Sequence, residues 1–229
     1  MLKAIVFDFD GVIVNSEPLH YRAFLRIGER MGVRFSYEEY LAEYVGFDDR
    51  DAFAHMLGKV TPGREANAGH VAELCRAKGQ AFADVVEEGI EPIAGMPAFV
   101  QAVAAQAPIA IASGATRADI DLILGKLGLG HLFGIIVTAD DVAKSKPDPA
   151  SYRLAVQKLA ARHPNLALQP GECLAIEDTA AGIASARGAG LLTLGLTSSH
   201  EASVLRQAHR VIDRIEGLTL AKLRQWFED

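Results

Sequence analysis

Apolar and polar residues along this chain keep two different periods, and the change from one to the other divides it. Ile5-Val6-Phe7-Asp8-Phe9 opens with an apolar run that reads as a buried parallel strand, and two carboxylates, Asp8 and Asp10, follow one residue apart. From Asn15-Ser16-Glu17-Pro18, which has the chemistry of a helix start, His20, Phe24, Ile27 and Met31 recur at helical spacing until Gly32 stops them. Further helical pieces run from Tyr37 to Tyr44, from Asp49 to Leu57 and from about Glu65 to Val86, with a turn at Val60-Thr61-Pro62-Gly63 and no strand pattern between them. Beyond Pro92 short apolar runs alternate with helices. Strands are predicted at Ile109–Ala112, Gly134–Val137, Cys173–Ile176, Leu191–Leu194 and Arg210–Ile212, and helices at Pro97–Gln106, Thr116 onward, Pro149 onward, Thr179–Gly188 and Leu218–Phe227. Thr116 with Asp119 resembles a capping box, and Asp148 followed by Pro149 reads as N-cap and first helical residue. The fold class is therefore α/β: a parallel sheet flanked by helices, built from residues 1–15 and 89–229, with an all-helical domain, 16–88, inserted after the first strand.

Composition narrows this picture without changing it. At 229 residues, 50% of them hydrophobic, the chain can bury a large core. A net charge of -6 and the lack of a basic run argue against nucleic acid and against a charged membrane surface as partners. Cys75 and Cys173 form no metal pattern and read as two buried thiols in a reducing compartment. The strand begins too soon after Met1 for a signal peptide, and no apolar run is long enough for a membrane span. A cytoplasmic protein is expected, with a monomer as the default.

The candidate chemistry comes from where polar residues fall. In an open parallel sheet the ligand crevice lies beyond the carboxyl ends of the strands. Four strand ends here carry Asp8 and Asp10, Ser113, Lys146 in the loop after the third strand, and Glu177 with Asp178. Strand alternation places Asp8 and Asp10 on one side, and Gly11 allows a sharp turn or a close approach to a ligand. Each feature alone has a plain explanation: Ser113 as a turn residue, Lys146 as a solvated lysine, Glu177-Asp178 as a helix cap. Together they fit phosphoryl transfer assisted by Mg²⁺, since hard oxygen ligands select a hard cation and a carboxylate can attack phosphorus. The histidines lack zinc spacing, and no Walker loop, dinucleotide fingerprint or serine-hydrolase elbow is present.

Asp8-Phe9-Asp10-Gly11-Val12, Ser113-Gly114, Ser145-Lys146-Pro147-Asp148-Pro149 and Glu177-Asp178-Thr179-Ala180-Ala181-Gly182 resemble, in order, the four motifs of the haloacid dehalogenase superfamily. The helical insert sits where that superfamily places a cap, so the resemblance covers essentially the whole chain and implies a Rossmann-like core. It implies Asp8 as nucleophile and Mg²⁺ ligand, and Asp10 as general acid/base and backbone-carbonyl ligand. Ser113 with Gly114 and Gly11 would serve the phosphate, Lys146 would balance its charge, and Asp178 would hold Mg²⁺ with help from Glu177. A second aspartate such as Asp10 separates phosphoryl transfer from dehalogenation. Asn15-Ser16-Glu17-Pro18-Leu19-His20 is similar to the β-phosphoglucomutase-like branch, which also has a histidine at the position of His20. That residue otherwise reads as a partly exposed histidine in a first helical turn.

Gly46-Phe47-Asp48-Asp49-Arg50 occupies the place of that branch's substrate loop. It carries an acidic pair, and Arg50 falls one position late. Lys78 reads first as a solvated lysine on a helix face, and by resemblance as a cap lysine turned to the active site. The function implied is a Mg²⁺-dependent phosphatase that hydrolyses a small phosphorylated metabolite, a sugar or polyol phosphate, through an aspartyl phosphate. The alternative is a β-phosphoglucomutase-type mutase. A non-catalytic binding protein on the same fold is the third reading, which the intact set of acids argues against. The cap is expected to close over the core on hinges near Val14–Ser16 and Glu88–Pro92.

Overall fold

The first apolar run forms strand β1 (Ala4–Phe7), buried along its whole length. Burial on that scale stabilises the fold by about 1.5–3 kcal/mol for each large side chain. In the computed structural model, which describes residues 1–44, 47, 49–61 and 67–228, four helices come next: α1 (Glu17–Arg30), α2 (Tyr37–Glu43), α3 (Asp49–Val60) and α4 (Ala68–Glu88). The chain then runs α5 (Met96–Ala104), β2 (Ile109–Ala112), α6 (Arg117–Lys126), β3 (Ile136–Val137), α7 (Ala150–Arg162), β4 (Cys173–Glu177), α8 (Ala180–Gly188), β5 (Leu192–Leu196), β6 (Arg210–Ile212) and α9 (Leu220–Glu228). Met1–Asn15 with Glu91–Asp229 make one compact unit, and Ser16–Ile90 make another.

The larger unit holds a parallel sheet in the order β3-β2-β1-β4-β5-β6. Strand order reverses at β1, which makes the carboxyl ends of β1 and β4 the switch point where such sheets open a crevice. Register sets what meets there. Phe7 lies opposite Ile111 of β2 and Ile176 of β4, so the next residues to emerge are Asp8 beside Glu177. On one face Ala4, Val6, Ala110, Ala112 and Ala175 leave room for α7, whose Tyr152 is fully buried against them. On the other, Phe7 meets the rings of Phe99 and Phe133 edge-on, at 6.2 and 6.0 Å.

The helical unit has an aromatic core of its own. α1 and α3 both pack on α4. Phe24 lies 5.3 Å from Phe53 and 6.1 Å from Tyr40, ring to ring. Ser36 and Glu39 close a reciprocal capping box at the start of α2. Gly32, with φ 78°, takes the left-handed conformation that ends α1.

Most boundaries fall within a residue or two of the sequence pattern, and the departures have local reasons. α3 runs on to Val60, past the predicted end at Leu57. α4 starts at Ala68 because Asn67 caps it, its side chain accepting from His70 N at 3.1 Å; the predicted turn at 62–63 and helix start at 65 lie outside the described residues. α7 starts one residue late: Pro149 is the boundary residue, and the Asp148 carboxylate accepts from Ala150 N at 3.0 Å. Cys173 is buried in β4, where burial pushes its thiol up to about 11, while Cys75 is only partly covered. Among the described residues no helix is long and apolar enough to cross a membrane.

Candidate active site

Four of the residues singled out in the sequence converge at the switch point. Asp8, the first residue past β1, is tied to the sheet by its N–H, which donates to Ile176 O at 3.0 Å. Its Oδ1 accepts from Phe9 N at 2.7 Å and lies 2.9 Å from Lys146 Nζ. The same ammonium lies 2.7 Å from Glu177 Oε1. Asp8, Glu177 and Asp178, all buried, present oxygens within 4.8 Å of one another.

Three carboxylates and one ammonium leave an excess of negative charge away from water. Burial, followed by the Glu177 charge, raises Asp8 well above the usual carboxylate range against the pull of Lys146. Burial also lifts Asp178 to about 6, moderated by the nearby Ser199 hydroxyl and reinforced by Glu177. Burial opposes the charge on Lys146, but Asp8 and Glu177 outweigh it and hold the ammonium above the normal lysine range.

The donor set fits a hard divalent cation. Asp178 Oδ1 is buried and has no hydrogen-bond partner, a costly state for a carboxylate oxygen unless a cation completes it. Glu177 is different, because both its oxygens are engaged. Oε1 accepts from Lys146 and, at 2.6 Å, from Tyr152 OH; Oε2 accepts from Thr179 Oγ1 at 3.2 Å. Thr179 also caps α8, accepting from Gly182 N at 3.0 Å. Thr179 stands within the fourth motif quoted from the sequence, whereas Tyr152 is a part of the site that the sequence did not mark. Tyr152 reads as one more apolar position on the face of α7, and only the fold brings its hydroxyl to Glu177.

The predicted alternation of Asp8 and Asp10 stops short, since β1 ends at Phe7. Asp10 enters a tight turn in which Gly11, with φ 71°, donates its N–H to Val14 O at 2.7 Å. The three clustered carboxylates accordingly do not include Asp10. Gly11 brings its backbone so close that a Cβ there would overlap the Asp178 carboxylate and stand 2.6 Å from Ser199 Oγ. Ser113, buried at the end of β2, donates its N–H to Val137 O, while its hydroxyl accepts from Ala115 N at 3.0 Å. Gly114 follows it and is exposed.

The remaining candidates belong to the helical unit. The expectation of a solvated Lys78 is overturned: it is 4% exposed, because α4 turns it inward over the rings of Phe24 and Phe82 at 4.9 and 5.4 Å. Its ammonium donates to Asp49 Oδ1 at 2.9 Å and to His20 Nδ1 at 3.0 Å. His20 stacks on Phe82 at 4.4 Å, and burial with the nearby Lys78 charge lowers it to about 3, so the ring is the neutral acceptor. Arg50 is exposed at the start of α3 and is not part of this trio; residues 46 and 48 of the same loop lie outside the described residues.

A doubly wound α/β enzyme with carboxylates and a bridging lysine at its switch point is the class that fold and site together define. The chain belongs to the haloacid dehalogenase-like hydrolase family, whose model matches residues 5–196. It is 30% identical to the validoxylamine A 7'-phosphate phosphatase of Streptomyces hygroscopicus subsp. limoneus over 91% of this chain and 92% of that one. It is 28% identical to the fructose-1-phosphate phosphatase YqaB of Escherichia coli (strain K12), covering 82% of this chain and 92% of YqaB. Among solved structures, a mutant of CbbY from Rhodobacter sphaeroides in complex with xylulose-(1,5)bisphosphate superposes with a TM-score of 0.78 at 29% identity, over 97% of this chain and 99% of that one.

Proposed function

We propose that the protein is a Mg²⁺-dependent phosphatase acting on a sugar or polyol monophosphate through an aspartyl phosphate on Asp8. The observation that carries this reading is the buried Asp8 carboxylate, bridged by Lys146 at 2.9 Å and set beside an Asp178 oxygen that has no partner. An Asp8 oxygen attacks phosphorus and the bond to the ester oxygen breaks; Asp10 gives its proton to the departing alkoxide. Asp10 then takes a proton from water, the water oxygen attacks the same phosphorus, and the bond to Asp8 breaks to release phosphate. Lys146 balances charge at Asp8 throughout and is itself held by Glu177, which Tyr152 and Thr179 keep in place. Mg²⁺, held by Asp8, Asp178 and the Asp10 carbonyl with Glu177 in support, would draw negative charge from the phosphoryl oxygens. Ser113 and the backbone around Gly11 and Gly114 would receive the remaining oxygens.

Three findings support the substrate class: two of the relatives are named as phosphatases of validoxylamine A 7'-phosphate and of fructose 1-phosphate, and the third is complexed with xylulose-(1,5)bisphosphate. The helical unit would act as the cap that selects among such metabolites. Its Asp49 carboxylate lies against Lys78, which reduces the positive charge available to grip a second phosphate and favours hydrolysis over a mutase cycle. Purified protein with Mg²⁺ is expected to release phosphate from an aryl phosphate. Asp8→Asn should lower that rate at least about 1,000-fold, the scale of losing a nucleophile. An Asn variant as active as wild type would sink the assignment.

A further inference from the structure

Lys146 brings its ammonium to Asp8 and Glu177, at 2.9 and 2.7 Å, from a loop, residues 142–149, that belongs to no strand or helix. Lys144, Ser145 and Pro147 of that loop are exposed. Its backbone makes local hydrogen bonds: Asp148 N donates to Ser145 O at 3.0 Å, and Pro149 O accepts from Arg153 N at 3.0 Å in the first turn of α7. A further bond comes from across the fold. The hydroxyl of Ser185, 37 residues further on in α8, donates to Asp148 O at 2.6 Å, at the short end for a bond between oxygens. Ser185 carries the only hydroxyl of α8 and is fully buried among alanine, glycine and isoleucine. A serine inside a helix ordinarily turns its hydroxyl back to the carbonyl one turn earlier; here its single proton goes to the loop, two residues past Lys146. Close by, a Cβ at Gly188 would stand 3.4 Å from Pro149 Cβ, so helix and loop are in contact there. A lysine stem is flexible, and its ammonium keeps one place only if the backbone that carries it does.

We propose that Ser185 is a positioning residue, which ties the Lys146 loop to α8 and so holds the ammonium between Asp8 and Glu177. This rests on the phosphatase reading above, in which Lys146 balances charge at Asp8. Misplacing a catalytic group by about 1 Å can cost about 100-fold in rate, and a loop freed at one of its ties should lose part of that. The experiment compares wild type with Ser185→Ala, which removes one oxygen atom and puts the best helix former in its place. Both proteins are assayed for phosphate release from an aryl phosphate with Mg²⁺, and both are followed by amide hydrogen exchange, which reports local opening. Wild type is expected to turn over. Ser185→Ala should have a kcat about 10-fold lower per folded molecule, with KM within about twofold. Its faster exchange should be confined to residues 143–150. Equal kcat in the two proteins overturns the tie and leaves the phosphatase reading intact. Faster exchange throughout α8 and the sheet, with kcat per folded molecule unchanged, also overturns it by making Ser185 a residue of the fold alone. A fall in kcat without faster exchange in residues 143–150 overturns it too, because the effect would not then travel through the loop. Absence of turnover by wild type overturns the phosphatase reading and the tie with it.

Discussion

Gly11 concentrates the physical demands of the site in one residue. Its φ of 71° disfavours any side chain, and a Cβ would enter the space of the Asp178 carboxylate. Gly11→Ala therefore has to move Asp178 or unwind the turn. The backbone cost is about 1 kcal/mol, too small to unfold the protein. We expect a folded variant with phosphatase activity down at least about 100-fold, as for misplaced catalytic groups; circular dichroism and aryl phosphate turnover check it, and near-wild-type turnover contradicts it.

His20 poses a different question at the same scale, because its lowered pKa makes stability depend on pH. The unfolded chain takes up a proton near 6.5, whereas the folded chain resists until about 3, so protonation favours unfolding. The contribution of neutral His20 is complete above about pH 6.5 and declines below it, by about 2 kcal/mol at pH 5. Lys78 and Asp49 are the charged groups around it. In urea unfolding at pH 7.5 and 5, His20→Gln should lose about 2 kcal/mol less than wild type between the two conditions. Equal losses would exclude the mechanism.

Among the elements, α8 joins the fold to the site at its N-cap. Thr179 accepts from Gly182 N and donates to Glu177, so the group that starts the helix also fixes the carboxylate that holds Lys146. Thr179→Ala should cost about 1–2 kcal/mol of stability and lower activity as well, while Thr179→Ser, which retains the hydroxyl, should recover most of both. Loss of stability with full activity would uncouple cap from site. Elements such as β2 and β6 were legible in the sequence to the residue, because short apolar runs bounded by Ser113 or by Asp213 leave one reading. Helix starts were less legible wherever a side chain chose among neighbouring N–H groups, as at Asn67 and Asp148. The same limit applies at the site. Asp8, Lys146, Glu177 and Asp178 could be found because each ends or follows a strand, a local property. Tyr152 could not, since its partner is 25 residues away and the meeting depends on register and helix packing. Lys78 was misjudged for a related reason: a lysine at one position of an amphipathic helix gives no sign of the Asp49 and His20 partners that make its burial tolerable.

For the whole molecule, the decisive feature is how the helical unit is attached. Val14 and Pro92 pair as an antiparallel bridge, and Ile93 N donates to Ile13 O at 3.0 Å. The chain thus leaves the α/β unit and re-enters it at the same point, within a backbone ladder belonging to that unit. The insert, Ser16–Ile90, has its own buried aromatics and its own capping interactions. An insertion whose ends are adjacent adds only a closure entropy that grows slowly with its length. Joining Asn15 to Glu91 through a short Gly-Ser linker should therefore give a folded α/β protein with cooperative urea unfolding and intact parallel-sheet circular dichroism. Because Asp8, Lys146, Glu177 and Asp178 all belong to the unit that remains, calorimetry should still detect Mg²⁺ binding to it. Discrimination between sugar phosphates should disappear together with Lys78, His20 and Asp49. A deletion protein that lacks a cooperative transition would show that the sheet depends on the helices for its stability, and one that still discriminates would place selectivity in the α/β unit.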